Sequence, residues 1–189
     1  VYKIFERQCE IGLANLERIY AVVGNRVTVV VVTGTDFGTQ NGPFISRKAY
    51  RELYMPFHKA VNDWVHTHTT WKTFTHTCGS VVALIPDFIE AGFDVLNPVQ
   101  CSAAGMDPAT LKERFGQQLT FWGGGVDTQK TLPFGTPSQV RDEVRARIQA
   151  LGPGGGFVFN TIHNVQPRVP AENLLALYDA VREFGAYPL

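Results

Sequence analysis

His76 and Cys78 lie two residues apart where an aromatic stretch, Trp71–Phe74, gives way to Gly79-Ser80 and an apolar segment. Side chains on a strand repeat every two positions, so an imidazole and a thiolate at this spacing point the same way and can grip one ion. Cysteine and histidine are preferred ligands of zinc, and a site with only two or three protein ligands keeps a coordination position open for chemistry. Other polar groups recur just after apolar runs: Asp36 and Gln40, then Asn97, Gln100 and Cys101, then Asp127 and Gln129, and finally His163, Asn164 and Gln166. If the runs are parallel strands, all of these stand on one rim, where α/β folds gather ligands and catalytic groups. His66 and His68 alternate with threonines and read as surface residues. Cys101 reads as structural. The glycine runs at 123–125 and 154–156 lack the spacing of a phosphate loop and read as tight strand entries and exits.

The elements that must position these residues follow from periodicity and from stop signals. Apolar residues at helical spacing predict a helix from Val1 to Val23, ended by Gly24-Asn25. The β-branched run Val27–Thr33 predicts a strand buried on both faces. Ser46 caps a helix predicted to reach about His66, Trp71–Phe74 is a short strand, and Val81–Ala91 is a helix ended by Gly92. Next come a strand at Phe93–Asn97, a helix at Asp107–Phe115 and a strand at Leu119–Trp122. Thr136-Pro137 opens a helix with an apolar face of Val140, Val144 and Ile148, Phe157–Asn160 is a strand, and a last helix runs from Pro170 through Phe184. Repeated β/α units predict a parallel sheet, wound either as an open doubly wound sheet or as a barrel.

Composition narrows the function classes. With 189 residues and 44% hydrophobic side chains, residues 1–189 read as one domain. Seventeen basic and seventeen acidic residues cancel, and no basic cluster stands out, which argues against nucleic acid or an acidic membrane surface as partner. A small-molecule substrate fits better. Three scattered cysteines do not make a disulfide framework, and neither a signal peptide nor an apolar membrane span is visible, so a reducing cytoplasm is the expected compartment.

Several segments taken together resemble a known family. His76-x-Cys78-Gly79, Glu90 through Pro98, Gly123-Gly124-Gly125-Val126-Asp127, Gly135-Thr136-Pro137, and His163 through Pro167 with Pro170 through Asn173 are similar to the C-terminal half of the uroporphyrinogen decarboxylase superfamily. That superfamily holds porphyrinogen decarboxylases and zinc-dependent corrinoid methyltransferases on a (β/α)8 barrel. The resemblance therefore implies the latter five units of such a barrel, with the first three absent. It also implies that the open edge is covered by a further part of a longer chain or by a second copy in a homo-oligomer. In the methyltransferase reading, zinc is held by His76, Cys78 and His163 and activates a thiol that takes a methyl group from a corrinoid, with a corrinoid protein as a possible partner. Asp36 and Asp127 then orient ligand or substrate, and Gln40, Asn97, Gln100, Asn164 and Gln166 contact the substrate. The alternative is metal-free decarboxylation of a pyrrole acid, with His163 and Asp36 moving protons. A third reading is a non-catalytic barrel remnant or corrinoid-docking module.

Overall fold

A computed structural model describes residues 1–189. Its sheet consists of β1 (Val29–Thr33), β2 (Lys72–His76), β3 (Val95–Asn97), β4 (Thr120–Trp122) and β5 (Phe157–Val158), hydrogen-bonded in that order with every pair parallel. Strand order that follows chain order without reversing is the winding of a barrel; a doubly wound sheet would switch direction at one strand. The helices are α1 (Tyr2–Val23), α2 (Arg47–Leu53), α3 (Met55–His68), α4 (Ile85–Glu90), α5 (Pro108–Phe115), α6 (Thr131–Phe134), α7 (Pro137–Leu151) and α8 (Ala171–Phe184), with a 3-10 turn at Gly24–Arg26.

Packing follows the apolar stripes. The largest core cluster joins Leu96 and Phe121 of the sheet to Tyr50, Phe88 and Leu111 of the surrounding helices. A second cluster sets Val140, Val144 and Ile148 of α7 against Leu177 and Ala180 of α8, burying positions spaced by four and three residues. Thr136 begins α7 with a reciprocal capping box to Gln139, and Pro137 needs no N–H partner in the first turn. Arg47 and Arg51 of α2 converge on the buried Asp87 of α4, at 2.7 Å each, and tie these two short helices together.

The architecture departs from the sequence expectations at particular residues. The helix predicted from Ser46 to His66 is broken at Tyr54, because Pro56 in the next turn lacks an N–H and its ring opposes continuation from the preceding turn. The Val81 helix starts only at Ile85, ahead of Pro86. Strand β2 extends two residues further than Phe74, so His76 itself is in the ladder. Strands β3 and β5 are shorter than predicted, and α6 was not anticipated. Strand β1 is not buried on both faces: it lies at the sheet edge and Val31 is 65% exposed. Beside that edge, α1 and α3 enclose an apolar groove of about 410 Å³ with β1. All three cysteines are free, and no helix is long and apolar enough to cross a membrane.

Candidate metal and substrate site

The ladder between β2 and β3 places His76 opposite Asn97. Asn97 donates through Nδ2 to the carbonyl of Trp122 at 2.9 Å, which turns its Oδ1 toward His76 Nδ1 at 2.6 Å. An amide oxygen can only accept, so Nδ1 of His76 carries a proton, and in the neutral imidazole Nε2 then presents a lone pair. That lone pair faces Cys78 Sγ at 3.5 Å and Asp36 Oδ1 at 3.8 Å. Asp36, in the loop after β1, is anchored because its Oδ1 accepts the Cys78 N–H at 2.7 Å. Burial, followed by the Asp36 charge and a hydrogen bond to it, pushes the Cys78 thiol up to about 11.

Nitrogen, sulfur and carboxylate donors here all lie within 4.8 Å of one another. Tetrahedral zinc with ordinary bond lengths separates such donors by about 3.3–3.6 Å, so the group needs only small side-chain adjustments to converge. The two loops that carry Asp36 and Cys78 are held together: Phe37 N–H donates to the Thr77 side-chain Oγ1 at 2.8 Å, and Gly38 lies against Gly79 so closely that a Cβ on either would strike the other's backbone. Gly79 also has φ +88°, a conformation that L side chains rarely adopt.

Around the donors runs a chain of amides. Gln100 Oε1 accepts the Gly79 N–H at 2.7 Å, Gln100 Nε2 donates to Gln40 Oε1, and Gln40 Nε2 donates to Gln129 Oε1 at 3.3 Å. A cavity of about 230 Å³ opens beside Cys78, lined by Gln100 and Gln129 and by Ile162, His163, Asn164 and Gln166.

The sequence-predicted residues fall into three groups. His76, Cys78 and Asp36 converge as donors. His163, Asn164, Gln166 and Gln100 line the cavity, with Gln40 behind Gln100; His163 is solvent-exposed and is not among the converging donors. Asp127 and Asn97 are occupied structurally. Asp127 Oδ1 accepts the N–H groups of Gln129 and Lys130 at 2.6 and 3.0 Å, forming the turn into α6, while Asn97 orients His76. Sequence reasoning missed Ser102 and Thr128, which also line the cavity. Their only signal was position in loops following β3 and β4.

The uroporphyrinogen decarboxylase (URO-D) family model matches residues 16–184. The chain belongs to that family. Among curated relatives, the uroporphyrinogen decarboxylase of Pseudoalteromonas translucida is 33% identical over 90 residues, covering 46% of this chain and 25% of that protein. The uroporphyrinogen decarboxylase of Magnetococcus marinus is 27% identical over 150 residues, covering 76% of this chain and 39% of that protein. A solved methyltransferase from Methanosarcina mazei superposes with TM-score 0.63 at 21% identity, over 84% of this chain and 43% of the other. This likeness establishes the fold, five units of a TIM-type barrel. In each case the match covers less than half the length of the other protein.

Proposed function

We propose that this URO-D family member moves a methyl group from a corrinoid to a thiol at a zinc site formed by His76, Cys78 and Asp36. The observation that carries the reading is the convergence of Nε2, Sγ and Oδ1, with Nδ1 of His76 tied to Asn97. A second-layer partner on a ligating imidazole is the usual companion of a protein-bound metal. Zinc bound to these donors would supply Lewis acidity, favouring the deprotonated form of a thiol at neutral pH.

The chain's own groups then have distinct tasks. Asn97 holds the imidazole in the tautomer that leaves Nε2 free. Asp36 couples the loop after β1 to the Cys78 backbone. Gln100 and Gln40 keep Gly79, and with it the Cys78 main chain, in place. His163, lining the cavity that Cys78 also lines, is the imidazole available to accept the proton that a substrate thiol releases. A methyl-corrinoid bound at this cavity would supply the methyl carbon to the substrate sulfur, keeping the electron pair of its cobalt–carbon bond on cobalt.

Metal content of extensively dialysed protein tests the reading. About one zinc per chain is expected in wild type and in His163→Ala, with loss in His76→Ala and Cys78→Ala and weakened retention in Asp36→Ala. Wild-type protein should also demethylate methylcobalamin in the presence of 2-mercaptoethanol. Metal-free protein that released carbon dioxide from uroporphyrinogen would overturn it in favour of decarboxylation, the activity named for the 33% identical relative. In that second reading Asp36 and His163 move the protons. Metal-free protein with neither activity would point to a non-catalytic module.

A further inference from the structure

Two pairs of adjacent residues, one pair from each donor loop, exchange hydrogen bonds. Cys78 N–H donates to Asp36 Oδ1 at 2.7 Å, and Phe37 N–H donates to Thr77 Oγ1 at 2.8 Å. Each pair therefore supplies one main-chain donor and one side-chain acceptor to the other. The two accepting side chains differ in kind. Asp36 is exposed and stands among the converging donors, 3.8 Å from His76 Nε2. A carboxylate oxygen has more than one lone pair, so Oδ1 can hold the Cys78 N–H and still reach an ion. Thr77 is fully buried and alternates with the half-buried His76 and Cys78, so its side chain leaves the backbone on the opposite side from theirs.

Both ends of the Phe37–Thr77 bond are fixed by other contacts. Thr77 N–H donates to the Asn97 carbonyl at 2.7 Å. The Phe37 ring is 2% exposed and packs edge-on against Tyr50 and Tyr54, at centroid distances of 5.4 and 5.0 Å. The N–H that Thr77 accepts belongs to the peptide unit attached to Asp36 Cα, so the orientation of that unit sets where the carboxylate points. Without the hydroxyl, this buried N–H is left unpaired and its peptide unit must turn to find another acceptor. Resting on the metal reading above, we infer that Thr77 is a positioning residue: without touching the ion it aims Asp36 at His76 and Cys78, and so decides whether the metal has three protein donors or two.

Titration with Co(II) reads this role, because the visible bands of cobalt follow donor number and the sulfur-to-cobalt absorption follows Cys78. Thr77→Val keeps the shape but removes the acceptor. It should bind Co(II) about tenfold more weakly, with the visible bands of Asp36→Ala and the sulfur absorption retained. Thr77→Ser restores the acceptor and should bind as wild type does. In an Asp36→Ala background Thr77→Val should cause no further loss, since the residue acts only through Asp36. Wild-type affinity in Thr77→Val overturns the inference, as does an equal loss in both backgrounds or a Thr77→Ser protein as weak as Thr77→Val. Metal-free protein gives a second readout: the Cys78 amide should exchange faster in Thr77→Val than in wild type or Thr77→Ser, because Asp36 no longer holds it steadily. If wild type takes up no Co(II) while Thr77→Val speeds that exchange, the metal reading fails and the positioning of Asp36 stands. If the Cys78 amide exchanges equally in Thr77→Val and wild type, Thr77 does not position Asp36.

Discussion

Asn97 controls which face of His76 is chemically active. Its Oδ1 accepts from Nδ1 at 2.6 Å, while its own amide is held by the Trp122 carbonyl. Replacing it with leucine leaves Nδ1 without its acceptor, and zinc affinity should fall by about 10–100-fold, read by competition with a chromophoric chelator. Asn97→Asp retains an acceptor and should lose much less; equal losses in the two variants would show that Asn97 acts through packing alone. This role was not legible in the sequence, where Asn97 reads as one more polar group on the rim. Cross-strand register is a property of two segments far apart in the chain, and no local pattern reveals it. The His76–Cys78 pair was legible because its spacing matches the period of a strand. Asp36 was visible as a rim residue, but its placement beside both donors depends on how the β1 loop folds over the β2 loop. His163 took the third-donor position in the sequence reading by resemblance. The structure instead puts it in the cavity wall.

At the scale of elements, the contact between Gly38 and Gly79 sets the distance between the β1 and β2 loops. A methyl group at Gly38 would meet the Cys78 carbonyl and the Gly79 backbone, so the loops would have to separate. Gly38→Ala should therefore weaken metal binding although it removes no donor, while a Gly42→Ala control, whose added carbon meets nothing, should leave it unchanged. Isothermal titration with zinc distinguishes the two, and an unaffected Gly38→Ala protein would show that the donors do not depend on the clamp. Most elements were readable from apolar periodicity and caps, as α7 shows with its Thr136-Pro137 start. What escaped were boundaries decided by proline and by burial. Pro56 divides one predicted helix into α2 and α3, and the β-branched run of β1 looks interior although it lies at the sheet edge.

For the whole molecule, acid sensitivity follows from two buried groups. Burial lowers His58 from 6.5 to about 4. Between those values the unfolded chain binds a proton that the folded chain refuses, so stability rises with pH across that window. Asp87 is held below the usual carboxylate range, chiefly by its hydrogen bond from Arg47. Its contribution is complete above the unfolded carboxyl value of about 3.9 and is lost as pH falls through the lower folded value. Urea midpoints should accordingly decline from pH 6.5 downward. In His58→Phe the decline should begin only near the carboxylate range; an unchanged profile would remove His58 as its cause.

The unbroken sequence order of the strands also has a consequence in time. Strands β2, β3 and β4 each have a neighbour on both sides, whereas β1 and β5 each have one. An edge strand can release its ladder without disturbing the others, so opening fluctuations should begin at both margins and reach the centre last. Deuterium uptake should therefore be fastest at Val29–Thr33 and Phe157–Val158 and slowest at Val95–Asn97. The donor residue His76 would then stand on backbone that exchanges late, keeping its position even while the margins of the sheet breathe.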